Sequence, residues 1–521
     1  MHGADCASWR HLAGVCHHGV QVNPRSLEFV GHGSCLFRDR RGSTLLSASL
    51  PLWQWSELCE ACGLVSESGA DINGLCIDSR SVQVGDLFIA LAGDPGPRFH
   101  GSGAASRDGH EFIASAVTNG ASGVMLSQAM TPGVPVLQVA DTLDGLWQLG
   151  QAGRQRMLGK VVGITGSSGK TTARQWLEVL LGAQGRTHAS VGSFNNHWGV
   201  PLSLARMPAD SEFGVFEIGM NHPGEIEPLA TLVNMDVALL LNVLPAHLGQ
   251  FENIDGIRRE KLSIALGLKP GGTLVAPAEL NLEGLNLGSA QEAADQGTGD
   301  LNVLTFGLGE GADVRGVPEY RSDCTLVQVF SRDQRWSYQL QAGGEHRVLT
   351  SLASLAVMLA LGVDLDRAVE DMPRLTMPAG RGDEVLIGQR YVIDDSYNAN
   401  PVSMGYALVS LANRGGSAQK VAILGEMREL GVQGPEMHQQ LVALCAGFDG
   451  VMTVGEGFAD WDAGELGERY WGHYGQAAEI DLTDLMVNLN DDAVILIKGS
   501  NRVFWVNGFV ARLRRHLADL L

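Results

Sequence analysis

Short apolar runs closed by a glycine or a polar residue recur along this chain, and between them apolar positions fall at helical spacing. VVGIT (161–165), GVFEIG (214–219) and DVALLLNV (236–243) are runs of this kind, and their near-continuous hydrophobicity predicts strands buried on both faces. Behind the first of them, Trp176, Leu177, Leu180 and Leu181 share one helical face, as packing against a sheet requires. The alternation spans about 157–383 and predicts an α/β fold with a central parallel sheet wrapped on both faces. It restarts over 384–521, where Tyr391–Asp394, Val421–Leu424, Val451–Val454 and Ala493–Ile497 predict a second sheet of dinucleotide-fold type. The GEG at 455–457 is too short to be a nucleotide fingerprint.

Upstream, 52–156 reads as a smaller α/β domain. It holds a short helix, strands near 75–78, in VGDLFIALAG, and at 123–127 and 134–139, helices at 112–120 and up to Arg156, and a Gly/Pro/Ser-rich loop from Asp94. Residues 1–51 show no sustained period and carry HH and RDRR runs, so they are expected to be a poorly ordered extension. His11, His17 and His18 within it fit a solvated tail better than a metal tract. No internal repeat is found.

Strand, glycine turn and helix start meet in TGSSGKTT, Thr165 to Thr172. That arrangement is a phosphate-binding loop: Gly166 and Gly169 let backbone N–H groups turn toward phosphate, Lys170 can reach the β- and γ-phosphates, and Thr171 can offer its hydroxyl to Mg²⁺. Ile164 stands where the longest form of the motif has its first glycine. In open α/β sheets ligands gather at the carboxyl ends of strands, where Glu217 closes GVFEIG and His247 closes DVALLLNVLPAH. With the loop, they outline a magnesium and phosphate site.

The formal net charge of −21 argues against a nucleic-acid or anionic-membrane binder, which needs a basic surface. Anionic substrates must then be held by local cations. No apolar run approaches the ~20 residues that cross a bilayer, and a cytoplasmic location is expected. The 8 cysteines are scattered rather than framed for disulfides. Cys59 and Cys62 form a C-x-x-C with no second pair at ligand spacing, and helix packing accounts for them better than zinc. Asp78, Ser79 and Arg80 follow a strand, where they read equally as a surface turn or as donors to an anionic sugar nucleotide.

From about residue 52 onward the chain resembles the Mur ligases, the ATP-dependent amide-forming enzymes of peptidoglycan synthesis. TGSSGKTT, FNNHWGVPLSL, EIGMNHPGEI, NVLPAHLGQF, REKLSIAL, the AGR at 379–381, DDSYNANP, LGEMRELG and ILIKGS carry the resemblance in order. It implies three domains, with a substrate-binding domain, a central ATP-binding domain and a C-terminal ligase domain. DDSYNANP and EIGMNHPGEI point to the branch that joins D-alanyl-D-alanine to UDP-N-acetylmuramoyl-tripeptide through an acyl phosphate. A sister ligase with another acceptor, and a P-loop kinase, are the rival readings.

The resemblance also implies roles. Thr165 to Thr172, Arg381 and Asp395 would bind ATP, with Arg381 on phosphate and Asp395 on the ribose. Thr171, Glu217, His247 and Lys261 would hold magnesium, Lys261 as a carbamate; Lys170, Glu217, His247 and Lys261 would be the catalytic set. Asn196, Asn221 and His222 would touch substrate, and Asp78, Ser79 and Arg80 would meet the UDP end. Thr350 is a departure, because the family carries asparagine there near the adenine, and one hydroxyl cannot give a paired amide contact. A monomer without nucleic-acid partners is expected.

Overall fold

The computed structural model describes residues 27–30, 34–38, 44–46, 51–65, 68–93, 99, 107–245, 250–251, 253–282, 301–321, 324–341, 343–428 and 430–521. His247 therefore lies outside the described residues, as do His11, His17, His18 and most of the loop from Asp94. The chain forms two compact units, Met1–Pro51 and Leu52–Leu521. In the first, β1 (Leu27–Val30), β2 (Ser34–Arg38) and β3 (Thr44–Leu46) pair antiparallel in sequence order. These strands of three to five residues are too brief to register as a period in the sequence.

The second unit holds three sheets. A small parallel sheet joins β4 (Gly74–Cys76), β5 (Asp86–Ile89), β6 (Gly123–Leu126) and β7 (Val136–Gln138) in sequence order. Helix Trp55–Ala61 covers it, and buries Cys59 and Cys62 with Leu58 in one apolar cluster. Burial pushes the Cys62 thiol up to about 12. The pair is core.

The central sheet has nine strands. They are β8 (Lys160–Thr165), β9 (Thr187–Ala189), β10 (Phe213–Glu217), β11 (Met235–Leu240), β12 (Leu268–Pro277), β13 (Asn302–Gly307), β14 (Val314–Tyr320), β15 (Cys324–Ser331) and β16 (Gln334–Gln341). Their order across the sheet is β16-β15-β14-β13-β12-β11-β8-β10-β9. From β9 to β14 all pairs are parallel, and β15 and β16 are added antiparallel. The expected parallel sheet is thus a mixed one. Short connections let β14–β16 form a meander, where a parallel pair would need a long crossover.

Alternation along the central strands explains the wrapping. Val162, Ile164, Val237 and Leu239 pack with helices Lys170–Gly182 and Glu345–Leu361, whereas Val161, Ala238 and Leu240 pack with helices Ile226–Val233 and Ile254–Leu262 on the other face. The chain leaves β8 for β9 on one side and crosses from β10 to β11 on the other, so the strand order reverses at β8, where a crevice opens at the carboxyl end.

Helix Thr142–Arg156 lies against helix Gly199–Ala205 with Gly150 and Gly153 on the contact face. A Cβ at Gly153 would come 2.4 Å from the Leu204 carbonyl oxygen, backbone that cannot rotate away. Alanine in a helix gains up to ~1 kcal/mol over glycine, but overpacking costs about 1–3 kcal/mol. Gly153→Ala is therefore expected to lower the thermal unfolding midpoint rather than raise it.

The third sheet contains β17 (Asp383–Ile387), β18 (Arg390–Asp395), β19 (Lys420–Gly425), β20 (Gly450–Val454), β21 (Tyr470–Tyr474) and β22 (Val494–Lys498), in the order β17-β18-β22-β19-β20-β21. All but the β17–β18 pair are parallel. Asp395 and Lys498 are register partners at the carboxyl ends of β18 and β22. No described helix is long and apolar enough to cross a membrane.

Candidate active site

One cavity of about 820 Å³ is walled by the carboxyl edges of both large sheets, a size that suits a nucleotide. From the central sheet come Ser167 to Thr172, Ser193, Asn195, Asn196, Glu217 and Asn221. Arg381, Asp395, Tyr397 and Lys498 face them from the third sheet and the segment leading into it.

The phosphate loop has the backbone its sequence requires. Gly166 and Gly169 take φ of +154° and +85°, a region that costs glycine least. A Cβ at Gly166 would also meet Leu241 at 2.9 Å. Ser167 and Ser168 are strapped to the end of β11: the Ser168 N–H donates to Asn242 Oδ1 at 3.0 Å, and the Ser167 hydroxyl donates to the Leu244 carbonyl at 3.0 Å. Helix Lys170–Gly182 begins directly after Gly169, so its first-turn N–H groups lack intrahelical acceptors and suit phosphate oxygens. Thr165 lies behind the loop, fully buried.

Lys170 donates from Nζ to the Gly166 carbonyl at 2.6 Å. Burial pulls its ammonium down to about 8, against the favourable field of Glu217. Glu217 is itself completely buried at the end of β10 and accepts from the Thr171 hydroxyl at 3.2 Å. Burial pushes its carboxyl above the usual range; Arg381, Lys170 and Arg174 oppose that. Three cations thus surround one carboxylate.

Arg381 reaches this group from the far wall. Its guanidinium stacks 4.3 Å from the centre of the Tyr397 ring and donates to Ser193 Oγ at 3.1 Å, and the Tyr397 hydroxyl donates to the same oxygen at 3.1 Å. Asp395 is paired with the buried Lys498, whose Nζ donates to it at 2.7 Å. Thr350 is on the wall, but its hydroxyl donates to the His346 carbonyl at 2.8 Å, within its own helix.

Other residues singled out from sequence sit elsewhere. Asn196 and Asn221 line the cavity, but Asn196 Oδ1 already accepts from the Gly199 N–H at 2.9 Å. His222 is outside the wall, beside Glu225 with Nδ1 to Oε1 at 3.4 Å. Lys261 is not part of the wall and is buried; burial first, then Lys170, push its ammonium well below the usual range. Asp78 and Arg80 pair with each other at 2.7 Å, Ser79 is buried between them, and none of the three reaches the cavity. Ser193, Asn242, Arg174 and Lys498 were missed in the sequence. Lys498 carried a signal, an isolated cation closing the apolar run VILIK.

Thr171 and Glu217 offer hard oxygen donors with room for phosphate oxygens beside them, the set Mg²⁺ takes in nucleotide sites. Residues 164–358 match the model of the Mur ligase middle domain, and residues 380–501 match that of the Mur ligase glutamate ligase domain. The chain is 30% identical over 449 residues to the UDP-N-acetylmuramoyl-tripeptide–D-alanyl-D-alanine ligase of Escherichia coli, covering 83% of this chain and 92% of that protein. Among solved structures, it is similar to MurF from Acinetobacter baumannii, with a TM-score of 0.74, 30% identity, and 89% and 99% of the two chains covered. It is also similar to MurF ligase from Thermotoga maritima in complex with ADP, with a TM-score of 0.69, 27% identity, and 86% and 98% covered.

Proposed function

The chain belongs to the Mur ligase family, and we infer from its cavity how it carries out that family's chemistry. It is an ATP-dependent amide-forming ligase, joining D-alanyl-D-alanine to UDP-N-acetylmuramoyl-tripeptide in peptidoglycan precursor synthesis. The observation that carries the reading of the site is the convergence of Lys170, Thr171 and Glu217 with Arg381 and Asp395 around one cavity.

Amide formation from a carboxylate is uphill in water, so the carboxylate must first become an electrophile. In our reading the tripeptide's terminal carboxylate attacks the γ-phosphorus of ATP, its oxygen forming the new bond as ADP leaves, to give an acyl phosphate. The dipeptide's amine then adds to the carbonyl carbon and loses a proton, and phosphate departs with the C–O bonding pair. Two anions must meet, which is the electrostatic difficulty. Lys170 and Arg381 lower it by facing the transferring group from opposite walls, as fixed charges in a water-poor site. Thr171 and Glu217 would hold Mg²⁺, which when bound would neutralise charge on the phosphates. Asp395, held by Lys498, would meet the ribose hydroxyls. From the family resemblance we propose His247 and Lys261 as ligands of a second metal, and Asp78, Ser79 and Arg80 as contacts for the UDP end. We propose that it works as a monomer in the cytoplasm.

A single-turnover experiment tests the reading. With ATP and UDP-muramoyl-tripeptide, ligated product is expected only when D-alanyl-D-alanine is added, and not with diaminopimelate, lysine or D-glutamate. A stable phosphorylated product with no need of an amine would overturn it in favour of a kinase.

A further inference from the structure

Arg174 is one turn beyond Thr171 on helix Lys170–Gly182, with Glu178 a further turn along the same face. Its side chain is only 10% exposed and spans two carboxylates. Nη1 donates to Glu178 Oε2 at 2.6 Å, and Nε lies 3.3 Å from Glu217 Oε1. The second contact is one of charge without hydrogen-bond alignment, and neither Nε nor Oε1 has a hydrogen-bond partner among the described residues. The other oxygen of Glu217 accepts from the Thr171 hydroxyl. The carboxylate is therefore held from two sides by one helix, Oε2 by the residue that closes the phosphate loop and Oε1 by an arginine that is itself tethered.

We propose that Arg174 is a positioning residue for the metal-binding carboxylate, holding Oε1 of Glu217 so that Oε2 stays turned toward the Thr171 hydroxyl and the phosphates. This role rests on the reading of Thr171 and Glu217 as metal ligands. Outer groups that orient a ligand typically change metal affinity about 10- to 100-fold when removed. The tether to Glu178 gives the arginine a second anchor, which keeps its guanidinium from swinging into the phosphate pocket. A planar fork can serve two carboxylates at once, whereas an ammonium is a point charge.

Mn²⁺, followed by its electron paramagnetic resonance, is the probe, titrated into the full chain with saturating ADP. Arg174→Met is expected to weaken Mn²⁺ binding about tenfold while ADP affinity in EDTA stays the same, and Arg174→Lys is expected to recover part of the loss. Unchanged or tighter Mn²⁺ binding in Arg174→Met would overturn the role. So would an equal loss of ADP affinity in EDTA, which would make Arg174 a direct phosphate contact, or a lysine variant no better than methionine, which would make it packing. Glu178→Gln cuts the tether at a half-exposed position; it is expected to weaken Mn²⁺ binding by less than Arg174→Met, and if Arg174→Met does not fold, an unchanged affinity in Glu178→Gln overturns the role. Glu217→Gln separates the two ideas. Retained Mn²⁺ binding there rejects the metal site itself, whereas its loss there with full binding in Arg174→Met rejects only the positioning role.

Discussion

Lys170→Ala is expected to lower ligation about a thousandfold, with binding of the UDP-linked substrate still measurable. The ammonium is partly buried and rests on the Gly166 carbonyl at 2.6 Å, within its own loop. That contact is replaceable, because the lysine arm needs only to swing from the carbonyl to a phosphate lying over the same loop. A value pulled down to about 8 leaves the group charged at neutral pH, and an incoming phosphate favours that form further. Alanine removes the one flexible cation of the loop and, in the proposed mechanism, would leave Arg381 alone on the transferring group. Removing a single preorganised donor to developing charge costs about 10²–10³ in rate, and a full charge belongs at the upper end. The three-residue turn at Asp78, Ser79 and Arg80 is outside the cavity, so UDP-substrate affinity measured by calorimetry should survive. Turnover at the parent rate would remove Lys170 from the chemistry.

The parts of this site legible in the sequence are those whose geometry is local. TGSSGKTT has to turn where its glycines are, and Glu217 has to point past a sheet edge because the apolar run before it ends there. Residues whose roles depend on partners far along the chain gave no such signal. Lys498 and Asp395 are 103 positions apart and meet only because β22 and β18 are neighbours in register. Ser193 meets Arg381 across 188 positions. Arg174 is concealed differently: paired with Glu178 four residues on, it looks like an ordinary helix-surface ion pair, and only the burial of its guanidinium against Glu217 distinguishes it. The same division holds for the fold. Both large sheets follow from runs of buried strands, whereas the antiparallel addition of β15 and β16 depends on how those strands pair, which hydrophobicity alone does not specify.

The second large effect is expected at Lys261. Lys261→Ala should lose turnover by about the same factor as Lys170→Ala, and short carboxylates such as formate or acetate should restore part of it. Lys261 occupies the last turn of helix Ile254–Leu262, is 2% exposed, and forms no ion pair among the described residues. A charged ammonium in that place is opposed by burial and by Lys170, so a purely electrostatic helper of the phosphates is a poor description of it. A neutral amine can add to carbon dioxide, forming an N–C bond and losing a proton, and the product is an anion with two oxygen donors. That modification reverses the sign of the side chain and turns a repelled neighbour of Lys170 into an attracted one. In the alanine variant the vacated space lies in the field of Lys170, which favours an anion, and for that reason a free carboxylate should enter it. With ¹³C-bicarbonate, the parent chain should show a carbamate resonance that Lys261→Ala lacks. Parent rates in the unrescued variant would reduce Lys261 to a buried amine that packs, with the cations around Glu217 left to carry the charge alone.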